Sequence, residues 1–333
     1  MSTGDTDRTC VILDADGVFL SERPYWNTAL AVALVRAGLE EHVNGGWDAL
    51  GDAAFIRTGL QRVAKRHGCN SNWDLAAVLD RALEQVELRG ELGELLAEGR
   101  LDDAVCRLRD AGQALHRGRA REEPDPLRGF GIDRRGERYA DIVRDCQNLF
   151  HGRQGTGWAF ERFRLEEPAR LTLAALQSLH DLGCELRICT GRPRPEIEKP
   201  IAELGLERFF GPDSITSGTE VERAERLSGS KSLGKPHWFS PLCAMAGWET
   251  ALEAVNGSLP AWPRSSFVYV GDARSDFEAV RGVRRLGLEL HYVHVSSCVS
   301  DAAQLAAIAA EPSTLAVVDR LEQVPALLSG VAS

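Results

Sequence analysis

No run of this sequence is long and apolar enough to cross a membrane. The longest apolar run, residues 28–35, falls far short of the ~20 residues that a spanning helix needs. Cysteine is scattered rather than patterned. None of the eight (Cys10, Cys69, Cys106, Cys146, Cys184, Cys189, Cys243, Cys298) forms a C-x-x-C. That pattern points to a reducing compartment, away from a disulfide framework and away from a zinc knuckle. Positive charge is in deficit: 39 Lys and Arg stand against 49 Asp and Glu, a formal net charge of -10. Nucleic acid is therefore not the expected partner, because counterion release needs a cationic face. An anionic substrate has to be drawn in by a local cluster or a metal, against the global field. The opening residues MSTGDTDR carry two acids and no apolar segment, so no secretory leader and a cytoplasmic location are expected. Repeats and low-complexity tracts are absent too.

What is present is ordinary in bulk and pointed in detail. A length of 333 residues suggests about two domains. A composition of 44% hydrophobic and 26% charged residues is that of a globular protein with a large core. The stretch Thr9-Cys10-Val11-Ile12-Leu13-Asp14-Ala15-Asp16-Gly17-Val18 organises the rest. A short, β-branched apolar run reads as a buried strand of a parallel sheet. It delivers two carboxylates, Asp14 and Asp16, where open α/β sheets place their ligand crevice.

After Val18 the pattern becomes helical. Helix-period runs are predicted from Pro24 to Leu39, Asp48 to Arg66, Asn72 to Leu88, Glu91 to Leu96, Leu101 to Leu115 and Arg138 to Phe150. An Arg-rich irregular loop spans 116–138. A block this poor in strands reads as an inserted subdomain, with boundaries near Glu22 and the Gly-rich 151–157. Trp26, Trp47 and Trp73 read as its core rather than as a ligand sandwich. From Pro168 strands alternate with helices: Glu185 to Cys189, Ser214 to Thr216, Phe267 to Val270, Leu290 to Val295 and Leu315 to Val318. That alternation predicts a doubly wound parallel sheet, an α/β fold with an inserted all-helical cap domain. The domain boundaries expected are 1–20 with 159–333 for the core and 21–158 for the cap.

Further chemistry-bearing residues follow the later strands: Thr190-Gly191-Arg192, Gly271-Asp272 with Asp276, and Lys235 on a loop between. Three or four carboxylates facing one crevice repel each other, so a hard divalent cation such as Mg²⁺ is the natural neutraliser. A hydroxyl, peptide N–H groups and one ammonium then suit phosphate oxygens. Phosphoryl transfer to a carboxylate nucleophile is the chemistry such a set can do.

The sequence resembles the haloacid dehalogenase-like hydrolases through four motifs in order. These are Leu13-Asp14-Ala15-Asp16-Gly17-Val18, Thr190-Gly191-Arg192, Gly234-Lys235-Pro236-His237-Trp238-Phe239 and Gly271-Asp272-Ala273-Arg274-Ser275-Asp276. The resemblance covers residues 1–20 and about 160–330. It implies a Rossmann-like core with a helical cap of the phosphoglycolate phosphatase and β-phosphoglucomutase branch. In its terms Asp14 is the nucleophile and Asp16 the acid and base. Thr190, Gly191 and Lys235 bind the phosphoryl group. Asp14, the backbone carbonyl of Asp16, and Asp272 hold Mg²⁺, with Asp276 supporting. Lys231 competes with Lys235 for the phosphate role. Arg192, Arg194, Arg128, Arg134 and Arg135 are candidates for substrate contact; Arg192 and Arg194, which follow a strand, and the whole Arg-rich loop read equally as solvated charge. Ala273 departs from the Ser or Thr common at that place. The expectation is a Mg²⁺-dependent phosphatase of a small phosphorylated metabolite, working through an aspartyl-phosphate. A phosphomutase using the same intermediate is the alternative, with a non-catalytic binding module behind both. The oligomeric state is not legible.

Overall fold

The computed structural model describes residues 8–20, 23–44, 46–61, 63, 67, 71–116, 126–151, 170–230, 232–258, 266–296 and 302–331. It divides into two compact units, one of Met1–Ser21 with Glu166–Ser333 and the other of Glu22–Leu165. Lys231, the loop arginines 117, 119 and 121, and the Gly-rich 152–157 lie outside the described residues.

The chain opens with strand β1 (Cys10–Leu13), every residue of it buried. It then enters the helical unit: α1 (Arg23–Arg36), α2 (Gly46–Gly51), α3 (Asn72–Ala82), α4 (Val86–Ala97), α5 (Leu101–Leu115) and α6 (Glu137–His151). Among its described residues there is no strand. Two expected boundaries move. The helix expected to run on to Leu88 stops at Ala82, and α4 begins earlier, at Val86. Past Gly51 the chain takes a π-helical turn over Asp52–Arg57 rather than one long helix. The N-terminus of α3 is capped by Ser71, whose side chain accepts from Asp74 N at 3.1 Å. Trp26, Leu30 and Leu34 of α1, Leu75, Val78 and Leu79 of α3, and Leu108 of α5 form the core. Trp26 is within that core, and Trp47 and Trp73 pack against it.

The other unit continues through α7 (Arg170–Asp181), β2 (Glu185–Cys189), α8 (Arg194–Glu203), β3 (Ile215–Thr216) and α9 (Gly218–Ser228). Next come α10 (Phe239–Ala246), α11 (Trp248–Val255), β4 (Phe267–Gly271), α12 (Arg274–Arg285), β5 (His291–Val295), α13 (Ala302–Ala309), β6 (Thr314–Val318) and α14 (Val324–Val331). The six strands form one parallel sheet in the order β3-β2-β1-β4-β5-β6. Alternating residues of β1 serve both faces. Val11 and Leu13 pack with Leu176 of α7 and Ile197 of α8, whereas Cys10 and Ile12 pack with Phe239 of α10 and Val280 of α12. The strand is buried on both sides, which is why it reads as one continuous apolar run.

Chain order leaves β1 toward β2 and β3 on one side and resumes at β4 on the other. The switch point, where open α/β sheets bind ligands beyond the carboxyl ends of the strands, is therefore between β1 and β4. Leu13 is in register with both Ile188 and Val270. Asp14, one residue on, is thereby placed between the ends of β2 and β4. Among the described residues no helix is long and apolar enough to cross a membrane.

Candidate active site

Asp14 leaves β1 with its amide donating to Val270 O at 2.9 Å, while its own Oδ1 accepts from Ala15 N at 2.9 Å. The chain then turns sharply. Leu20 N donates to Ala15 O at 2.9 Å and Gly17 N to Leu20 O at 3.0 Å, with Gly17 at φ 77°. Glycine meets that left-handed conformation without the Cβ penalty.

Lys235 is the cation at the centre. Its Nζ lies 2.9 Å from Asp14 Oδ1 and 2.8 Å from Asp276 Oδ1, with only 10% of its side chain exposed. The Lys235 loop is held close to α12 by a small residue. A Cβ at Gly282 would come within 2.9 Å of Trp238 Cβ. At the head of α12, Asp276 is fully buried, and its Oδ2 accepts from Ala273 N at 3.1 Å, closing the first turn. A Cβ at Gly271 would lie 2.7 Å from that carboxylate, so glycine is what lets Asp276 fold back over the strand end.

Asp14, Asp272 and Asp276 are all buried, and each offers a carboxylate oxygen within 4.8 Å of the others. Burial, then the charge of Asp276, pushes the Asp14 carboxyl up to about 7, with Lys235 pulling the other way. Burial alone would lower Lys235; the carboxylates of Asp14 and Asp276 reverse this and raise it well above its ordinary value. Three crowded oxygen donors carrying more negative charge than one ammonium offsets fit a hard divalent cation.

The second motif stands on the other side of Asp14. Thr190 is buried, donates its amide to Thr216 O at 2.9 Å, and accepts from Arg192 N on its Oγ1 at 3.2 Å. Gly191 has open space where a Cβ would be. Arg192 is not the solvated charge or free substrate contact that its place after a strand suggests. It is 2% exposed, and its guanidinium grips Asp16 on both oxygens, Nε to Oδ2 at 2.8 Å and Nη2 to Oδ1. Arg194 likewise turns inward to structure. Its Nη2 donates to Ile215 O and Glu220 Oε1, both at 2.7 Å.

Two groups here were not singled out from the sequence. Tyr269 of β4 is fully buried; its hydroxyl lies 3.1 Å from Asp276 Oδ1 and 3.3 Å from Cys189 O, and Lys235 Nζ sits 5.6 Å from its ring centre. Glu196, in the first turn of α8, is 1% exposed. Burial pushes it up to about 7; Arg192 opposes that rise and Asp16 adds to it.

The remaining expected substrate contacts belong to the helical unit. Arg134 is committed elsewhere: its Nη2 donates to the buried Asp74 Oδ2 at 2.7 Å, and Tyr139 donates to Asp74 Oδ1 at 2.8 Å. A buried carboxylate needs such partners, so Arg134 acts within the helical unit as the counter-ion of Asp74. Arg128 and Arg135 are exposed.

No family model matches the sequence, and no curated protein matches it. Solved structures do match across nearly the whole chain. One is an X-ray structure of a structural-genomics target whose description names no function (19% identity, 97% of this chain and 98% of that one, TM-score 0.61). Another is L-2-haloacid dehalogenase from Xanthobacter autotrophicus with chloropropionic acid covalently bound (15% identity, 97% and 99%, TM-score 0.40). A third is a Bacillus subtilis protein described as a HAD-hydrolase and solved bound to magnesium (15% identity, 96% and 98%, TM-score 0.43). The likeness to the first of these is one of fold; the chain's own arrangement sets four ordered motifs at the strand ends and adjoining loop of one parallel sheet.

Proposed function

We propose that this chain is a Mg²⁺-dependent phosphatase that hydrolyses a small phosphorylated metabolite through a phosphorylated Asp14. The observation that carries the reading is the contact of Lys235 with both Asp14 and Asp276, beside a third buried carboxylate, Asp272. An ammonium there neutralises a carboxylate nucleophile and is placed to meet an incoming phosphoryl oxygen. Asp14, Asp272 and the backbone carbonyl of Asp16 would hold the cation, with Asp276 supporting them. When bound, Mg²⁺ supplies charge neutralisation that lets an anionic phosphate approach an anionic carboxylate.

An Asp14 oxygen attacks phosphorus, forming the O–P bond as the bond to the ester oxygen breaks. The electron pair leaves with that oxygen, which takes a proton from Asp16. Water then attacks the phosphorylated Asp14 and gives a proton to Asp16; phosphate departs and the Asp14 carboxylate is restored. The Thr190 hydroxyl, the Gly191 peptide and Lys235 bind the transferring oxygens. Asp16 favours phosphate ester chemistry over dehalogenation, because a departing halide needs no proton whereas a departing alcohol does.

The test is inorganic phosphate release from a panel of phosphate monoesters, with Mg²⁺ and with EDTA. Release that depends on Mg²⁺ is expected. Release unchanged by chelation would remove the metal from the account, and return of the phosphoryl group to the sugar would make the chain a phosphomutase.

A further inference from the structure

We propose that Arg192 is a positioning residue for Asp16 in the second half-reaction, the attack of water on phosphorylated Asp14. The inference rests on the phosphatase reading above and adds a residue to its second step.

The geometry is that of a two-point clamp. Arg192 Nε donates to Asp16 Oδ2 at 2.8 Å and Nη2 donates to Oδ1, which fixes the plane of the carboxylate as well as its position. The clamp itself has little freedom. Arg192 is 2% exposed; its amide donates to Thr190 Oγ1 at 3.2 Å and its carbonyl accepts from Gly218 N at 2.8 Å. That last contact needs glycine, since a Cβ at 218 would come within 2.6 Å of Gly191 O. The backbone that carries the guanidinium is thereby pinned and the side chain is enclosed, although its partner is distant in sequence.

Both Asp16 oxygens accept hydrogen bonds, so the carboxylate is held as an acceptor. An acceptor is what activation of water requires. Protonation of a leaving alcohol requires the reverse, a carboxyl that donates, and for that one of the two contacts must let go. The clamp thus favours the water step. Lysine offers a single point charge in place of the planar fork and would hold the carboxylate at one place without fixing its plane.

p-Nitrophenyl phosphate isolates that step, because its leaving group departs without a proton and so leaves the first half-reaction independent of Asp16. With Mg²⁺ present, Arg192→Gln should lower kcat by about 10²-fold and lower KM in proportion, leaving kcat/KM close to wild type. Phosphorylated enzyme should accumulate, seen as a pre-steady-state burst of p-nitrophenol approaching one equivalent per chain. Arg192→Lys should recover part of kcat, and in an Asp16→Asn background Arg192→Gln should cost nothing further.

A fall in kcat/KM as large as the fall in kcat, with no burst, overturns the proposal, and so does a variant indistinguishable from wild type. If Arg192→Gln does not fold, Arg192→Lys decides, since it keeps the charge and predicts the same burst at a smaller loss of kcat. A wild-type chain that releases phosphate from no ester removes the phosphatase reading and this proposal together. That result is distinct from an active wild type whose variants show no burst.

Discussion

The Tyr269 hydroxyl, from β4, lies 3.1 Å from Asp276 Oδ1 in the first turn of α12. Both residues are fully buried, and the ring of the same tyrosine lies beneath the Lys235 ammonium. Replacement by phenylalanine keeps the ring and removes only the hydroxyl. Tyr269→Phe should therefore lower unfolding stability by about 1–3 kcal/mol, the cost of leaving a buried carboxylate without one of its donors. Denaturant titration measures this, and a change below about 0.5 kcal/mol would mean the hydroxyl is not holding Asp276.

Three buried carboxylates around one ammonium repel one another in the metal-free chain. Mg²⁺ that binds only the folded state should raise thermal stability, by about 2.7 kcal/mol at a hundred times its dissociation constant. Thermal melts with Mg²⁺ and with EDTA read this directly. Asp272→Asn should abolish most of the difference, and an unchanged difference in that variant would place the cation elsewhere.

Glu196 provides the pH prediction. Its folded-state value is about 7 against an ordinary 4.5, chiefly from burial, so between those values the folded chain binds the proton more tightly than the unfolded chain. Stability from this group is present at low pH and is lost as pH rises from about 4.5 through 7, at roughly 1.4 kcal/mol for each pH step of one between those values. Glu196→Gln should thus be relatively more stable at pH 8 than at pH 5 when each variant is compared with wild type by melting. A difference that does not grow with pH would contradict the burial argument.

Arg134 and its neighbours separate by partner. Arg134→Gln strips the buried Asp74 of its half-exposed counter-ion while leaving the Tyr139 contact, and should destabilise by about 1–2 kcal/mol. Exposed Arg128→Gln and Arg135→Gln should stay within about 0.5 kcal/mol. Equal effects from all three would show that the Asp74 pair contributes nothing.

The contrast between residues that the sequence disclosed and those it hid has a physical basis. Asp14, Asp16 and Asp272 were legible because they stand directly after short continuous apolar runs, the signature of parallel strands buried on both faces. Tyr269 was hidden by the same rule, since its ring completes the apolar run and only its hydroxyl carries polar work. Arg192 was read by its charge and its place after a strand. Its partner is 176 residues away along the chain, and no local spacing encodes that pairing. Helix α9 buries only Val221 and Ala224, too few apolar positions for a visible stripe. Helix α10 fails in the opposite way, being buried from Phe239 through Met245, which leaves no polar face to define a period. The boundary at Ala82 rests on a backbone turn whose residues, Leu83 to Gln85, match helix preferences well enough to mask it.

The central claim is that Asp14 becomes phosphorylated. Acid quenching during turnover of a radiolabelled phosphate ester with Mg²⁺ tests it most directly. Label should remain with the wild-type chain, be lost under alkali as an acyl phosphate is, map to the peptide containing Asp14, and be absent from Asp14→Asn. A wild-type chain that releases phosphate without ever retaining label, or an Asp14→Asn chain that retains it equally, would contradict the account.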